Sequence, residues 1–390
     1  MRRLLLSCFV ALAAGAIQPH ALAQEAPALA EAAPAWREAV DEAVLAEIER
    51  QDLVGVAIGV IREGEVAYTA GYGLADRERR VPVTTETMFR WASISKPVTA
   101  IAAMQLVEAG RLDLEGDVRD LVTEFPDKGV PITTEQLLSH MSGIVHYSNG
   151  PVVRTQRDYD TPHPYQSVVL ALDTFAQSPL VAEPGERYSY STHAYILASA
   201  VVERAGEGTF WEQVRARICE PLGLTTLQPD YQWVDIANRA VGYRRLADRV
   251  LRSTDTDVSW KLGGGGFISN VGDLARFAAA VMNHELVDEA ISQDMWTARL
   301  DRQGQSRGYG LGFSVSGEGR RLRVAHNGAQ EKTRTRMVFY PNQRHGVVVM
   351  TNSEHADPGA ISTAIYRAIN AAQKDAQEDD RPQNLESVGP

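Results

Sequence analysis

The sequence Ser93-Ile94-Ser95-Lys96-Pro97 begins a long apolar segment that ends at Gly110. Residues three apart share one face of a helix, so a helix that begins at Ser93 places the Lys96 amine near the Ser93 hydroxyl. The positive end of the helix dipole stabilises negative charge that develops there. Proline is tolerated in this first turn because first-turn amides have no intrahelical partners. The pattern predicts an activated serine nucleophile.

Two later segments carry side chains suited to the same chemistry. Tyr190 lies in Tyr188-Ser189-Tyr190-Ser191-Thr192, just before a predicted helix. A nearby ammonium lowers the pKa of a phenol from about 10, which favours a general base. His326-Asn327-Gly328-Ala329 follows directly on a strand predicted over residues 322–325. Glycine there lets a substrate approach the backbone, and the Ala329 amide can pair with that of Ser93 as an oxyanion hole.

The order of these three motifs resembles that of the serine β-lactamase and penicillin-binding-protein superfamily, whose members carry S-x-x-K, then Y-x-N, then K-T-G or H-x-G. Further segments match signatures of its class C-like, peptidase S12 type members: Leu137-Leu138-Ser139-His140-Met141-Ser142-Gly143-Ile144, Gly264-Gly265-Gly266-Phe267-Ile268-Ser269, Asp273-Leu274 and Tyr309-Gly310-Leu311-Gly312-Phe313. The resemblance covers roughly residues 54–369. Within the superfamily, the chain is most similar to the mitochondrial serine β-lactamase-like proteins and their bacterial relatives.

The resemblance implies an α+β, β-lactamase/transpeptidase-like fold, with an antiparallel sheet flanked by helices and an inserted all-helical subdomain. It implies that Ser93 forms an acyl-enzyme, that Lys96 and Tyr190 manage its proton, and that the amides of Ser93 and Ala329 bind the oxyanion. His326 would line the opposite wall of the cleft. The residues assigned to substrate binding beside Ala329 are His326, Asn327, Gly328 and Thr192.

Two residues depart from the superfamily pattern. Thr192 stands where many members have asparagine, and its side chain is shorter and offers no amide to hold a substrate carbonyl. His326 stands where penicillin-recognising members have lysine, and a histidine with an ordinary pKa near 6.5 is mostly neutral at pH 7. Both changes weaken the case for efficient β-lactam hydrolysis. Arg334 and Arg336 either supply the missing charge or lie on a solvated outward strand face.

The domain boundaries follow from composition and hydrophobic periodicity. Residues 1–23 have the basic start, apolar run and A-x-A site of a secretory signal peptide, and residues 24–35 resemble a flexible leader. Residues 36–374 form the predicted catalytic domain, with its helical subdomain at about 94–263. The polar tail 375–390 is expected to be disordered. No segment downstream of the signal is long and apolar enough to cross a membrane.

Composition excludes several classes of partner and cofactor. The formal charge of −11 over 390 residues becomes −13 when Arg2 and Arg3, two positive charges, leave with the signal peptide. An acidic chain without a basic stripe is not expected to bind nucleic acid. The histidine and cysteine spacings fit no zinc site, and Gly263-Gly264-Gly265-Gly266 lacks the context of a phosphate loop. We therefore expect no metal and no cofactor.

Three side chains outside the main motifs have simpler interpretations. Cys219 is expected to be a packed residue rather than a nucleophile, because no histidine adjoins it. His140 is expected to be structural and away from the three motifs. His193 is adjacent to Thr192 and is expected to be either structural or a substrate contact.

These observations favour a periplasmic or secreted serine hydrolase that acts through acyl-enzyme chemistry on a small peptide, amide or ester. A carboxylesterase of the same family is one alternative. The other is a catalytically weak, filament-forming scaffold protein that kept the fold, and a homo-oligomer is compatible with either. The expected partner is a small-molecule or peptide substrate, with no stable membrane anchor.

Overall fold

The structure, a computed structural model, describes residues 34–379. The predicted signal peptide, nearly all of the predicted leader and residues 380–390 of the predicted tail lie outside the described residues. No helix within 34–379 is long and apolar enough to cross a membrane.

Helices and strands alternate in blocks along the described part of the chain. Its helices are α1 Ala35–Gln51, α2 Ser95–Glu108, α3 Thr134–Leu138, α4 Thr192–Ala205, α5 Phe210–Val214, α6 Glu220–Leu222, α7 Leu262–Gly265, α8 Val271–Met282, α9 Glu289–Met295 and α10 Pro358–Asp379. Its strands are β1 Gly55–Arg62, β2 Glu65–Asp76, β3 Val81–Pro82, β4 Phe89–Arg90, β5 Gln228–Pro229, β6 Tyr243–Leu246, β7 Arg249–Arg252, β8 Phe267–Ser269, β9 Ser314–Ser316, β10 Arg323–Gln330, β11 Thr333–Tyr340 and β12 His345–Thr351.

The main sheet is antiparallel, with seven strands in the order β3-β2-β1-β12-β11-β10-β9. The first strands of the chain therefore pair with its last ones, and Val56 of β1 lies opposite Thr351 of β12. Because the first and last strands pair, the segments between them in sequence belong to the same domain. The predicted antiparallel sheet flanked by helices is confirmed.

The two faces of the sheet bury different sets of apolar residues. On one face, Val56, Ile58 and Val60 of β1 pack with α1 and α10, whose buried residues include Val44 and Ile365. On the other face, the sheet packs against a larger core that includes α2, α4 and α8. β-branched residues at alternate positions suit a strand with buried faces. Helices α2 and α4 are buried along most of their length, so polar side chains on them lie in the interior.

The inserted region is not all-helical, which corrects the prediction for residues 94–263. Strand β5 pairs with β8, and β6 and β7 form a hairpin with Leu246 opposite Arg249. The hairpin turns through Ala247, whose φ is +55°. Two-residue hairpin turns usually signal themselves by Asn-Gly or Asp-Gly. Neither pair occurs here, and the strand Tyr243–Leu246 exposes three of its four residues, so no alternating apolar pattern marks it.

Two further predicted boundaries differ from the structure. Helix α10 continues to Asp379, so the first five residues of the tail predicted to be disordered are helical. Strand β10 continues through the His326-Asn327-Gly328-Ala329 motif to Gln330, instead of ending before it. Asn270 caps α8, because its side chain accepts a hydrogen bond from the amide of Asp273.

Cys219 is packed in the interior, as predicted. It ends a π-helical turn, Arg215–Cys219, and its side chain belongs to the main apolar core. Burial raises the pKa of its thiol to about 12, so the reactive thiolate is scarce at neutral pH.

Candidate active site

Ser93 lies in a short 3-10 turn, Ala92–Ile94, which leads into α2. The helix itself begins at Ser95, two residues later than the sequence predicts. Ala92 has a φ of +49°, which an alanine adopts only where its surroundings hold it. Trp91 supplies that hold: its amide donates to the Phe267 carbonyl at 2.8 Å, and its indole N–H donates to Ser269 Oγ at 2.7 Å. The turn therefore presents a half-buried Ser93 from a fixed backbone.

Lys96 is fully buried and its amine lies at the centre of the site. Its Nζ is 3.1 Å from Ser93 Oγ, 3.2 Å from Thr192 Oγ1 and 2.7 Å from the Gly264 carbonyl oxygen. None of these partners carries a charge. Burial, and next the charge of Lys261, hold the pKa of Lys96 well below its usual value. A neutral amine donates two hydrogen bonds and keeps one lone pair. The Thr192 hydroxyl and the Gly264 carbonyl accept the two hydrogen bonds, and the lone pair can accept the proton of Ser93.

The glycine run before Phe267 lets the backbone reach Lys96. A Cβ at Gly264 would lie 2.8 Å from Thr192 Cγ2 and 3.0 Å from the Thr192 carbonyl oxygen, both too close. At Gly263, a Cβ would lie 2.6 Å from Ser199 Cβ. Glycine is therefore required for α7 to pack against α4 and aim the Gly264 carbonyl at the amine.

Tyr190 lies next to both Ser93 and Lys96. Lys96 Nζ is 4.8 Å from the centroid of its ring. Burial raises the pKa of Tyr190 above its usual value, and a side-chain hydrogen bond with Ser93 offsets this only in part. The prediction that a nearby cation lowers this pKa is wrong, because desolvation dominates in a buried site. Tyr190 therefore carries its proton at neutral pH, and Lys96 is the better base.

Two buried histidines fix the backbone that carries Tyr190 and Thr192. The amide of Ser191 donates to His140 Nδ1 at 3.2 Å, and the amide of Thr192 donates to His146 Nδ1 at 3.1 Å. Burial is the main cause that lowers the pKa of both rings, in His146 to about 3, so each ring is neutral and able to accept. His140 is structural, as predicted, but it is not away from the site, since its ring centroid is 4.2 Å from that of Tyr190.

His193 is a core residue and not a substrate contact. Its side chain is nearly inaccessible, at 2% exposure, and its ring stacks on Phe175 with centroids 4.7 Å apart. Its Nδ1 is 2.9 Å from the Val145 carbonyl oxygen. Of the two interpretations of this histidine, the structural one holds.

Strand β10 forms the opposite side of the site and brings only some of the predicted residues to it. His326 and Gly328 are buried on the face toward the helical core, while Asn327 and Ala329 have exposed side chains on the other face. Asn327 Oδ1 accepts a hydrogen bond from Arg336 at 2.7 Å. The Asn327 side chain therefore points away from the helical core, because alternate residues of a strand point to opposite faces, and its assignment to substrate binding stays a prediction.

His326 is buried and its two ring nitrogens already have partners. Nδ1 is 2.8 Å from the Asn327 carbonyl oxygen, and Nε2 is 2.9 Å from the Tyr309 hydroxyl. Nδ1 therefore donates and Nε2 accepts from the tyrosine. Burial, with Lys96 next, lowers the pKa of His326 to about 3, so this wall of the cleft carries no positive charge at neutral pH.

The backbone of β10 approaches the turn that carries Ser93. A Cβ at Gly328 would lie 2.4 Å from the Trp91 carbonyl oxygen and 3.0 Å from Ala92 Cβ, so only glycine fits there. Among the described residues, β9 pairs with β10 only from Arg323 to Ala325, which leaves the strand edge beyond it facing the site. Ala329 follows Gly328 directly. Its predicted role as an oxyanion donor with the Ser93 amide stays a prediction, and the approach of the two backbones is compatible with it.

Comparison with known proteins identifies the family. A model of the Beta-lactamase family matches residues 37–372. The chain belongs to the beta-lactamase family of serine hydrolases. Its relatives include the mitochondrial serine beta-lactamase-like protein LACTB of Mus musculus, 30% identical over 58% of this chain and 54% of that protein. They also include the esterase EstB of Burkholderia gladioli, 34% identical over 48% of this chain and 49% of the esterase.

Solved structures agree with the family. The octameric penicillin-binding protein homologue from Pyrococcus abyssi superposes with a TM-score of 0.71 and 25% identity, over 86% of this chain and 77% of that one. This chain spans about half the length of the mitochondrial relatives that it matches.

Arg334 and Arg336 lie on the sheet face away from the cleft. They alternate along β11 with Thr333 and Thr335, which are fully buried on the Ser93 side. The hydroxyls of these threonines donate to the carbonyls of Arg90 and Trp91, just before the turn that carries Ser93. The two arginines are half-buried on the opposite face. They do not supply the positive charge that the family pattern would place beside Ser93.

The sequence analysis missed a cationic and aromatic group beside the beta-lactamase-family site. Lys261 Nζ lies 5.4 Å from the centroid of Trp260 and 6.0 Å from that of Tyr147. Burial lowers the pKa of Lys261 to about 8. The signal available in the sequence was the pair Trp260-Lys261, which Leu262 separates from the glycine run.

Proposed function

We propose that this chain is an exported serine hydrolase that forms an acyl-enzyme on Ser93 and acts on a small peptide, amide or ester. The observation that carries the proposal is the buried Lys96 amine, 3.1 Å from Ser93 Oγ and without a charged partner among its contacts. Such an amine takes a proton near neutral pH, and a hydroxyl beside it becomes a nucleophile.

The reaction follows from the groups around Ser93. Ser93 Oγ attacks the substrate carbonyl and its proton moves to Lys96 Nζ. The amides of Ser93 and Ala329 stabilise the oxyanion. When the tetrahedral intermediate collapses, the bond to the leaving group breaks, and Tyr190, hydrogen-bonded to Ser93, passes it a proton that Lys96 replaces. Water then attacks the acyl group and gives a proton to Lys96. The bond to Ser93 Oγ breaks, Ser93 regains its proton, and the acid is released.

A carboxylesterase is the alternative that one specific observation favours. The relative with the highest identity among those described above is an esterase, and the neutral His326 offers no charge to hold a β-lactam carboxylate. Esters also need less protonation of the leaving group than amides do, which suits a Tyr190 with a raised pKa.

A panel of substrates tests these readings against each other. We expect Ser93-dependent hydrolysis of a short-chain p-nitrophenyl ester and a peptide p-nitroanilide, with penicillin turned over least. Ester turnover far above peptide turnover would favour the carboxylesterase. No turnover of any substrate, together with large assemblies in light scattering, would favour a filament-forming scaffold instead. The octameric relative makes a smaller homo-oligomer compatible with the hydrolase.

Export is proposed from residues 1–23 alone. Their basic start, apolar run and Ala21-Leu22-Ala23 site are those of a cleaved secretory signal. N-terminal sequencing of protein recovered from the periplasm or medium should start at Gln24. Recovery only in the cytoplasm with an intact N-terminus would contradict this part of the proposal.

A further inference from the structure

Lys261 is a buried cation beside the site without an anionic partner. It ends the 3-10 turn Ser259–Lys261, directly before α7, and is only 7% exposed. Within residues 34–379, its ammonium makes no hydrogen bond and no ion pair. It lies 5.4 Å from the centroid of the Trp260 ring and 6.0 Å from that of Tyr147. Burying an unpaired charge costs free energy unless a group of opposite charge pairs with it. The buried cation therefore points to an anion that the described residues do not supply.

The charged groups around Lys261 do not neutralise its charge. Arg90, on the neighbouring strand β4, disfavours the charged form of Lys261, as does burial, and Glu331 favours it. Glu331 is exposed beyond the end of β10 and lies too far away to form an ion pair with Lys261. Lys96 lies on the other side, and its own pKa is lowered by the charge of Lys261. Arg90 is itself paired with Asp230, and Lys96 is a neutral amine, so Lys261 is the charge in this corner of the cleft that an anion would balance.

Lys261 lies within reach of a substrate held on Ser93. The position of a Cβ at Gly265 is 3.6 Å from Lys261 Cδ, 3.4 Å from Gln330 Oε1 and 3.7 Å from the Ala92 carbonyl carbon. One glycine therefore separates the lysine stem from the turn that carries Ser93. Tyr147, which is 53% exposed, forms the outer rim next to the ammonium.

We propose that Lys261 binds an anionic group, a carboxylate, on the acyl part of the substrate. This deepens the proposed function and rests on it. The lysine stem borders Gly265, next to the turn that carries Ser93 and therefore the acyl group. The carboxylate of the acyl part would pair with the ammonium between the rings of Tyr147 and Trp260, and it would repay the cost of burying that charge. Lys261 is thus a specificity-determining residue at a position different from His326.

Binding of two matched esters tests the proposal without requiring turnover. The probes are mono-p-nitrophenyl adipate and its neutral counterpart, in which a carboxamide replaces the free carboxylate. Calorimetric titration uses the full chain with Ser93→Ala, alone and combined with Lys261→Met. We expect the anionic ester to bind at least about tenfold more tightly than the neutral one, the typical effect of a hydrogen bond to a charged group. The ratio should approach one when Lys261→Met is added.

A nearby lysine provides the control. Lys332 is paired with Asp255, so Lys332→Met removes a cation that is already neutralised. The anion preference should survive this change. A ratio near one in Ser93→Ala, a ratio unchanged by Lys261→Met, or a ratio lost equally with Lys332→Met would each overturn the proposal. Turnover of the two esters by the native chain is scored separately, so absence of turnover would count against acyl transfer while the binding ratio still decides the role of Lys261.

Discussion

Replacing Ser93 by alanine is expected to lower kcat/KM for any turned-over ester or amide by about 10⁴-fold or more, while the chain still folds. The change removes the attacking oxygen and leaves Lys96 and Tyr190 without a proton to move. Ser93 is only half-buried, and its 3-10 turn is held by the Trp91 contacts rather than by its own hydroxyl. We therefore expect the free energy of unfolding to change by about 1 kcal/mol or less. Steady-state kinetics and urea unfolding measure the two effects.

Ser95 provides the matched control for this substitution. It lies two residues further on, but its hydroxyl accepts from the Phe267 amide at 3.2 Å instead of facing the Lys96 amine. Ser95→Ala should cost about 1–3 kcal/mol of stability, because a buried amide loses its partner, and should retain most of the activity. Activity that survives in Ser93→Ala near the native level would contradict the assignment of the nucleophile.

Replacing Lys96 by methionine is expected to lower kcat by about 10³-fold, within the usual range for loss of a general base. Methionine matches the length of the stem but can take no proton from Ser93. The substitution also leaves the Gly264 carbonyl and the Thr192 hydroxyl without their donor. Lys128→Met is the control, since Lys128 also makes structural hydrogen bonds, to the carbonyls of Ala176 and Ser178, but makes none with Ser93. Equal losses in the two variants would mean that Lys96 acts only through the fold.

The pH dependence of the native chain tests the same role of Lys96. The base is the neutral amine, so kcat/KM rises with pH while Lys96 loses its proton and then levels off. Because burial holds the pKa of Lys96 well below 10.5, the plateau is expected well before that pH. A rate that climbs tenfold per pH unit up to about pH 10 would indicate an ordinary lysine and contradict the proposed mechanism.

The helices and strands that could be predicted are those with a long, strict periodicity. Helix α8 follows its Asn270 cap, and β11 and β12 contain β-branched runs, so the sequence pattern marks all three elements. The hairpin of β6 and β7 could not be found in the same way. Its strands are short, polar and mostly exposed, and they are held by long-range hydrogen bonds such as that from the Tyr243 amide to the Asn352 carbonyl.

The site was predictable where it depends on local spacing. Ser93 and Lys96 are three residues apart and lie within hydrogen-bonding distance, as the motif predicts. The groups that tune Lys96 come from far along the chain: Thr192 is 96 residues away and Gly264 is 168 residues away. No periodicity reveals such contacts. The direction of the Asn327 side chain could also have been predicted, since the two-residue alternation along β10 places it on the face opposite His326 and Gly328.

The central claim, that Ser93 is an activated nucleophile, is tested most directly by intact-mass spectrometry of the native chain after exposure to a fluorophosphonate, beside Ser93→Ala and Ser95→Ala. We predict one covalent adduct on the native chain and on Ser95→Ala, and none on Ser93→Ala. A native chain that stays unmodified, or an adduct that persists in Ser93→Ala, would contradict it.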